Sequence, residues 1–330
     1  MRIREHGYIL LATLGALAVL TAMIGFFAAR VEIMRENTLA LRTVTESHIA
    51  QMSAYAEIVY RLTTLPRTIS GFGVEATGGV VPDGRPYRVD AVVVSLQDAR
   101  GLVSLNTGDR SVLWRLLVLQ GIGASEADRL VDTLEDYIDT DNLVRLNGAE
   151  APTYDALGLP PPLNDWLDST AELGHIVAWR DLIRSHPEIR RLFSVARDAF
   201  INPNTATREL LEALPGATKE GVGRLLEFRK VGAITSVEQL AALSGIAPNA
   251  DFLMFVPGDA FRLQTKPVGG GPGFEYNLLL TLANGRKPWQ LLEVRSFSEP
   301  RSKASDAEIV SSLGELASVP SANPVAVGNR

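Results

Sequence analysis

The chain has 330 residues, no cysteine, four histidines and a formal net charge of −6 from 38 acidic and 32 basic side chains. That length exceeds one typical domain and leaves room for two or three compact units. The lack of cysteine removes disulfide frameworks, thiol catalysis and Cys-ligated zinc; the acidic balance argues against a whole-protein preference for phosphate polymers but leaves a local basic face open.

A short charged leader, Met1 to Gly7, runs into an uncharged apolar stretch from Tyr8 to Ala29. A hydrocarbon core about 30 Å thick needs roughly 20 apolar residues in a helix, and this stretch supplies them. Its strongly apolar side chains, from Ile9 and Leu10 to Phe26 and Phe27, favour insertion by roughly 5 kcal/mol before Gly and Thr subtract. Arg2 and Arg4 precede the span and Arg30 follows it, which tilts the N-terminus toward the cytoplasm and puts the bulk of the chain outside. The apolar core is longer than that of an ordinary secretory signal, so cleavage after it is not expected. The polar-to-apolar switch at Gly7/Tyr8 offers a cut before the span; the alternative is an uncleaved membrane anchor.

From Arg30 a helical period continues through Met34, Leu41, Val44, His48, Met52, Tyr55, Val59 and Leu62 to a stop at Pro66. A single helix from Tyr8 to Leu65 would be roughly 87 Å long at 1.5 Å per residue. The β-branched run Pro86 to Val94, after a Gly/Pro turn over 78–86, predicts a strand of a small sheet that covers the helix stripe. From Val112 to about Met254 the pattern is helical with turn clusters between, and it carries an internal echo: Leu105-Asn106-Thr107 and Ile201-Asn202-Pro203-Asn204-Thr205-Ala206 each precede two helices joined by a glycine turn, Gly121-Ile122-Gly123 and Leu214-Pro215-Gly216. Strand patterns return at Phe261 to Thr265, Tyr276 to Leu282 and Leu291 to Ser296, with turns at Gly269 to Gly273 and Asn284-Gly285. The Ser, Ala and Pro rich stretch from Pro300 to Arg330 reads as a disordered tail.

Leu210 to Gly245 has helix-hairpin-helix spacing, in which DNA-binding versions offer Gly-x-Gly amides and a helix N-terminus to a phosphate. Here Thr218 stands at the second glycine, and Lys219, Arg224, Arg229 and Lys230 are offset by Glu212, Glu220, Glu227 and Glu238. Protein packing is favoured over DNA binding. Asp136, Asp139 and Asp141, with Glu150 and Asp155 beyond, cluster carboxylates at a helix end; they are either candidate Ca²⁺ ligands without EF-hand spacing or a solvated acidic helix end. His6, His48, His175 and His186 are scattered without a metal-binding pair. No nucleophile elbow, Walker loop or dinucleotide fingerprint occurs, so neither an enzyme nor a small-molecule substrate is expected.

The order of these parts, together with the segments Ser95-Leu96-Gln97-Asp98-Ala99-Arg100-Gly101 and Ile201-Asn202-Pro203-Asn204-Thr205-Ala206, resembles the K-type minor pseudopilins of bacterial type II secretion, also called general secretion pathway protein K. The resemblance implies an α+β fold: a long N-terminal transmembrane and amphipathic helix packed on a small antiparallel pilin-like sheet, interrupted by a large all-α insertion of two helix-hairpin-helix, SAM-like subdomains. The parts fall as a prepilin-type leader over 1–7, the helix over 8–65 with its span over 8–29, the first part of the sheet over 66–105, helical subdomains over 106–200 and 201–260, returning strands over 261–299 and the tail over 300–330.

The resemblance further implies cleavage by prepilin peptidase between Gly7 and Tyr8 with methylation of the new N-terminus, a single-pass inner-membrane protein with its bulk in the periplasm, and other minor pseudopilins as partners. Most pseudopilins carry Glu at the fifth position after the cut, where this chain has Ala12. K-type members share that absence and are placed at the pseudopilus tip, supporting initiation and export across the outer membrane. Calcium binding by related pseudopilins points to the carboxylates above. The competing reading is a membrane-anchored helix-hairpin-helix DNA receptor, against which the acidic balance and the flanking strands count.

Overall fold

The computed structural model describes residues 5–73, 79–247, 250–281, 287–298 and 311–312. Leader residues 1–4, the expected Asn284-Gly285 turn and the expected disordered tail apart from 311–312 lie outside them. Helix α1 spans Glu5–Thr64, and the chain divides into two compact units, Met1–Ser53 and Ala54–Arg330.

The first unit is helical throughout its described part. Its apolar side chains from Tyr8 to Phe27 are all exposed, and the helix is long and apolar enough to cross a membrane. Thr13 and Thr21 return their hydroxyls to the carbonyls of Leu10 and Leu17 at 2.9 and 2.8 Å, so neither needs water. Ion pairs Glu32–Arg35 and Arg42–Glu46 begin only past the apolar stretch. This is the chemistry of a single-pass anchor ahead of a larger domain.

In the second unit the chain forms strands β1 (Asp83–Val89) and β2 (Val92–Asp98), the short β3 (Val103–Ser104), helices α2 (Arg110–Leu119), α3 (Ala124–Ile138), α4 (Ala151–Ala156) and α5 (Trp179–Ser185), and the short β4 (Phe193–Ser194). Helices α6 (Arg208–Ala213), α7 (Lys219–Phe228) and α8 (Val237–Ser244) follow, then β5 (Ala260–Pro267), β6 (Gly273–Leu280), β7 (Trp289–Phe297) and β8 (Ser311–Ser312). The main sheet runs β7-β6-β5-β2-β1-β8, antiparallel except for the β1–β8 edge, and β3 pairs β4 in parallel as a separate ladder.

Two sequence expectations are corrected. The run Pro86 to Val94 is not one strand: it crosses a tight turn at Asp90, whose φ is 50°, and belongs to the two arms of the β1–β2 hairpin. Asp is among the few non-glycine residues that tolerate this conformation. Nor is the stretch from Val112 to Met254 helical with only turn clusters between its helices. Between Ile138 and Trp179 only α4 and a short 3₁₀ turn at Thr170–Gly174 are helical, because Pro160, Pro161 and Pro162 remove amide donors and hold their neighbours extended.

The sheet has two unlike faces, as a period of two requires. On one, Val94, Leu96, Leu263, Phe261, Tyr276 and Leu278 are buried, with Leu96 opposite Leu263 and Leu263 opposite Tyr276. The end of α1 covers this face: Ala54, Ile58, Val59 and Leu62 are buried, and the Tyr55 ring lies 4.5 Å from that of Tyr276 and 5.9 Å from that of Trp289. The other face is polar. Arg262 donates to the carbonyls of Arg191, at 2.8 Å, and Phe193, while Glu275 accepts from Gln264 and Arg295. The insertion is thus tied to the sheet by a buried guanidinium.

Buried apolar side chains from Val103 to Leu253 form one core. Leu116 and Leu117 of α2, Leu130 and Leu134 of α3, Leu210 and Leu211 of α6 and Leu225 of α7 are all buried in it. Trp179 anchors the middle, with its ring edge-on to Phe193 at 5.5 Å and its indole N–H donated to the Leu130 carbonyl at 2.6 Å. The two expected helical subdomains therefore bury their apolar stripes against a common interior.

Candidate functional site

Helix α3 ends in acid. Asp132, Glu135, Asp136 and Asp139 line its last turns, where the carbonyl ends of the helix already repel negative charge. Two arginines answer them. Arg110 of α2 pairs with Asp132 and Glu135, and Arg145, from the loop after α3, pairs with Glu135 at 2.9 Å, Asp136 at 2.6 Å and Asp139. Asp136 is fully buried and also accepts from the Arg145 amide at 3.2 Å. Gly148 passes so close to the Asp136 carboxylate that a Cβ there would meet it at 1.9 Å. Asp136 is thus a loop anchor with its valences taken by Arg145.

Asp139, Asp141 and Glu150 come together, each offering a carboxylate oxygen within 4.8 Å of the others. Asp155 is not among them; it lies exposed on α4. Glu150 is only 1% exposed, and neither of its oxygens nor Asp139 Oδ1 has a hydrogen-bond partner. Burial, then the charges of Asp136, Asp139 and Asp141, hold the Glu150 carboxyl above the usual carboxylate range. An orphaned buried carboxylate beside two others is an oxygen set suited to a hard divalent cation. Sequence reading grouped five acids and missed Arg145, although it is the lone base in the acidic stretch 139–168.

The hairpin between α6 and α7 is closed by the protein itself. Gly216 has a φ of 78°, and a Cβ there would meet the Gly245 carbonyl at 2.5 Å. The Ala247 amide donates to the Pro215 carbonyl at 3.0 Å, and Thr218 caps α7 by accepting from the Gly221 amide at 3.0 Å. Arg229 is turned inward to the Ala206 carbonyl and Asp83. An amide and a cation that a DNA phosphate would use are therefore engaged within the fold.

The Asn-Pro-Asn-Thr-Ala segment is the rivet between sheet and insertion. Asp98, at the end of β2, accepts from the Thr205 hydroxyl at 2.9 Å, the Arg100 amide at 3.1 Å, the Gly258 amide at 3.2 Å and Asn202 Nδ2 at 3.4 Å. Asn204 accepts from the Ile234 amide at 2.7 Å and donates to the carbonyls of Ile234 and Phe255. Desolvation lifts the Asp98 carboxyl to about 6 against these hydrogen bonds. From sequence this segment marks the internal repeat and the family likeness; two asparagines around a proline at an element boundary also signal buried backbone capping.

Gly7 and Tyr8 lie within the first turns of α1, with Tyr8 exposed.

Residues 93–183 match the family model described as Type II secretion system (T2SS), protein K. Among curated proteins, none matches the chain. A chain of the crystal structure of the GspK-GspI-GspJ complex from the enterotoxigenic Escherichia coli type 2 secretion system aligns with a TM-score of 0.54 at 18% identity, over 81% of this chain and 99% of that one. At that identity the likeness speaks for the fold: a long N-terminal apolar helix, an antiparallel sheet and added helices. Residues 93–183 are thus similar to type II secretion protein K, and the described chain has the α+β fold of the solved chain.

Proposed function

We propose that the protein caps and helps initiate the pseudopilus of type II secretion, acting through assembly contacts and not through catalysis. The observation that carries this reading is the pairing of an uncharged span lacking an acid at position 12 with a bulky helical insertion whose first part lies in the stretch 93–183 that matches the protein K model. A carboxylate inside lipid is costly without a partner, so a subunit with Ala12 has no charge to offer a subunit stacked above it. The anchor would lie in the bacterial inner membrane with the N-terminus cytoplasmic and the folded unit in the periplasm. Prepilin peptidase would cut between Gly7 and Tyr8. The solved relative is in complex with GspI and GspJ, which supports other minor pseudopilins as partners of this chain.

The deciding experiment is the N-terminal mass of the full-length protein from membranes with and without prepilin peptidase. Loss of Met1 to Gly7 with methylated Tyr8, only when the peptidase is present, is expected. An intact N-terminus, or one cut beyond Ala29, would return the span to a plain anchor or signal.

Asp139, Asp141 and Glu150 form the cation site of this reading, with Ca²⁺ as occupant. The orphaned Glu150 carboxylate supports it. Bound Ca²⁺ would neutralise an acidic helix end and fix the following loop; Asp136 serves that loop through Arg145 instead of the ion.

A further inference from the structure

The loop after α3 is built inside out. Its polar side chains face the protein: Arg145 onto Glu135, Asp136 and Asp139, and Asn147 onto Asp132 through both its amide and its side chain, at 3.0 and 2.9 Å. The apolar ones between them face solvent, with Leu143 74%, Val144 59% and Leu146 96% exposed. A second loop is fastened beside it. Asn164, at a φ of 50°, donates its side chain to the Asp141 carbonyl and to Asn142 Oδ1 at 3.2 and 3.3 Å, and its amide to the Tyr137 carbonyl at 3.0 Å. Exposed Leu163 precedes Asn164 directly, after the rigid Pro160-Pro161-Pro162 run.

The apolar groups are thus held outward by bonds that the polar groups could not make from any other register. A pre-ordered apolar surface has already met the entropic cost that weakens flexible docking loops. Its charge setting is acidic where it meets solvent: Asp141, Asp155 and Asp165 are exposed, Asp141 and Asp165 lie two residues from Leu143 and Leu163, and the base of this stretch, Arg145, is spent on α3, while Asp139 is paired with Arg145, Glu150 is buried and Asp168 is paired with Arg197.

We propose that Leu143, Val144, Leu146 and Leu163 form a docking surface for a protein segment in which apolar side chains are flanked by Lys or Arg. The apolar part covers the leucines and the cations meet the acidic rim. An anionic lipid surface or an acidic partner is disfavoured by the same rim. Binding is a property of the folded unit and needs no pseudopilus, so it is tested apart from the assembly role.

The test uses the full-length protein in phosphatidylcholine nanodiscs and a short fluorescein-labelled peptide of alternating Leu and Lys, read by anisotropy against empty nanodiscs. The expected result is saturable, salt-sensitive binding that falls about tenfold or more in L143S/L146S and in L163S and is unchanged in V231S, which removes an equally exposed apolar side chain elsewhere. A Leu and Glu peptide should not bind. Equal binding by L143S/L146S, equal binding of the Leu and Glu peptide, or preference for vesicles containing phosphatidylglycerol over the Leu and Lys peptide would each overturn the proposal. These side chains are exposed, so circular dichroism of the variants should match the parent and keep the comparison valid.

Discussion

Thr205 donates its hydroxyl to Asp98 Oδ2 at 2.9 Å, joining the end of β2 to a residue 107 positions later at the start of the second helical half. Three further donors converge on the same carboxylate, and a Cβ at Gly101 would strike the Thr205 carbonyl at 2.3 Å, so the crossing is as tight as backbone allows. The sheet and the insertion are coupled here in register, by an acceptor that water does not reach.

Asp98→Ala should therefore leave four donors without an acceptor and lower unfolding stability by about 3–5 kcal/mol in urea titrations. Asp98→Asn keeps the shape but turns one acceptor into a donor, and should cost about 1–3 kcal/mol. The pH dependence has a definite sign. Because burial raises the folded carboxyl to about 6, this group's favourable contribution is complete below the unfolded carboxylate pKa and is lost as pH rises through about 6. Relative to Asp98→Asn, the parent should gain stability, by up to about 3 kcal/mol, on going from pH 7 to pH 4. A flat difference between the two proteins over that range would refute the assignment.

Tyr55 offers a cleaner packing test. Its ring is tilted against Tyr276 and edge-on to Trp289, and its hydroxyl has no hydrogen-bond partner; burial, then the Tyr276 hydroxyl, pushes its pKa up to about 12. Tyr55→Phe should be neutral or slightly stabilising, since it removes only an unsatisfied group. Tyr55→Ala should cost about 3 kcal/mol by opening a cavity between α1 and the sheet. Thermal melts of the pair separate ring from hydroxyl.

The cation site is checked by melting with calcium and with a chelator. Ca²⁺ at a hundredfold excess over its Kd should stabilise the protein by about 2.7 kcal/mol. Glu150→Gln should weaken Ca²⁺ binding by about tenfold or more, and it should raise the melting temperature of the chelated protein by relieving the carboxylate crowding. Calcium affinity should fall on acidification, because the raised Glu150 carboxyl takes up protons first. Identical melts with calcium and chelator would remove the ion from the account.

For the hairpin, the expectation is that duplex DNA anisotropy shows no binding that weakens with salt, since Thr218 occupies the α7 cap and Arg229 is buried. A steep inverse salt dependence would revive the DNA receptor.

Much of the architecture was legible because long periodic signals leave little choice. The apolar run from Tyr8, the helical stripe ending at Leu62 and the strands β5, β6 and β7 all follow from spacing. The hairpin at Asp90 was not legible, since the apolar β-branched residues on both sides of a two-residue turn merge into one run. The stretch after Ile138 was misread for the opposite reason: scattered apolar residues kept a helical appearance, while the structure spends them on an outward loop. The acid cluster was visible as composition, but which acids meet was decided by Arg145, whose reach to three carboxylates depends on how the loop folds back. The role of Asp98 depends on donors from far along the chain and has no local signature.

Strands β2 and β5 are neighbours in the sheet, with Asp98 opposite Phe261, yet the helical insertion lies between them in the chain. The Gly258 amide that reaches Asp98 comes from 160 positions later. As the chain emerges N-terminus first, the β1–β2 hairpin must stand with one edge unpaired until the entire insertion has followed. Long-range pairing of this kind is slow and leaves a sticky edge exposed. Folding of this chain therefore rests on keeping a half-built sheet from pairing elsewhere for as long as the insertion takes to arrive.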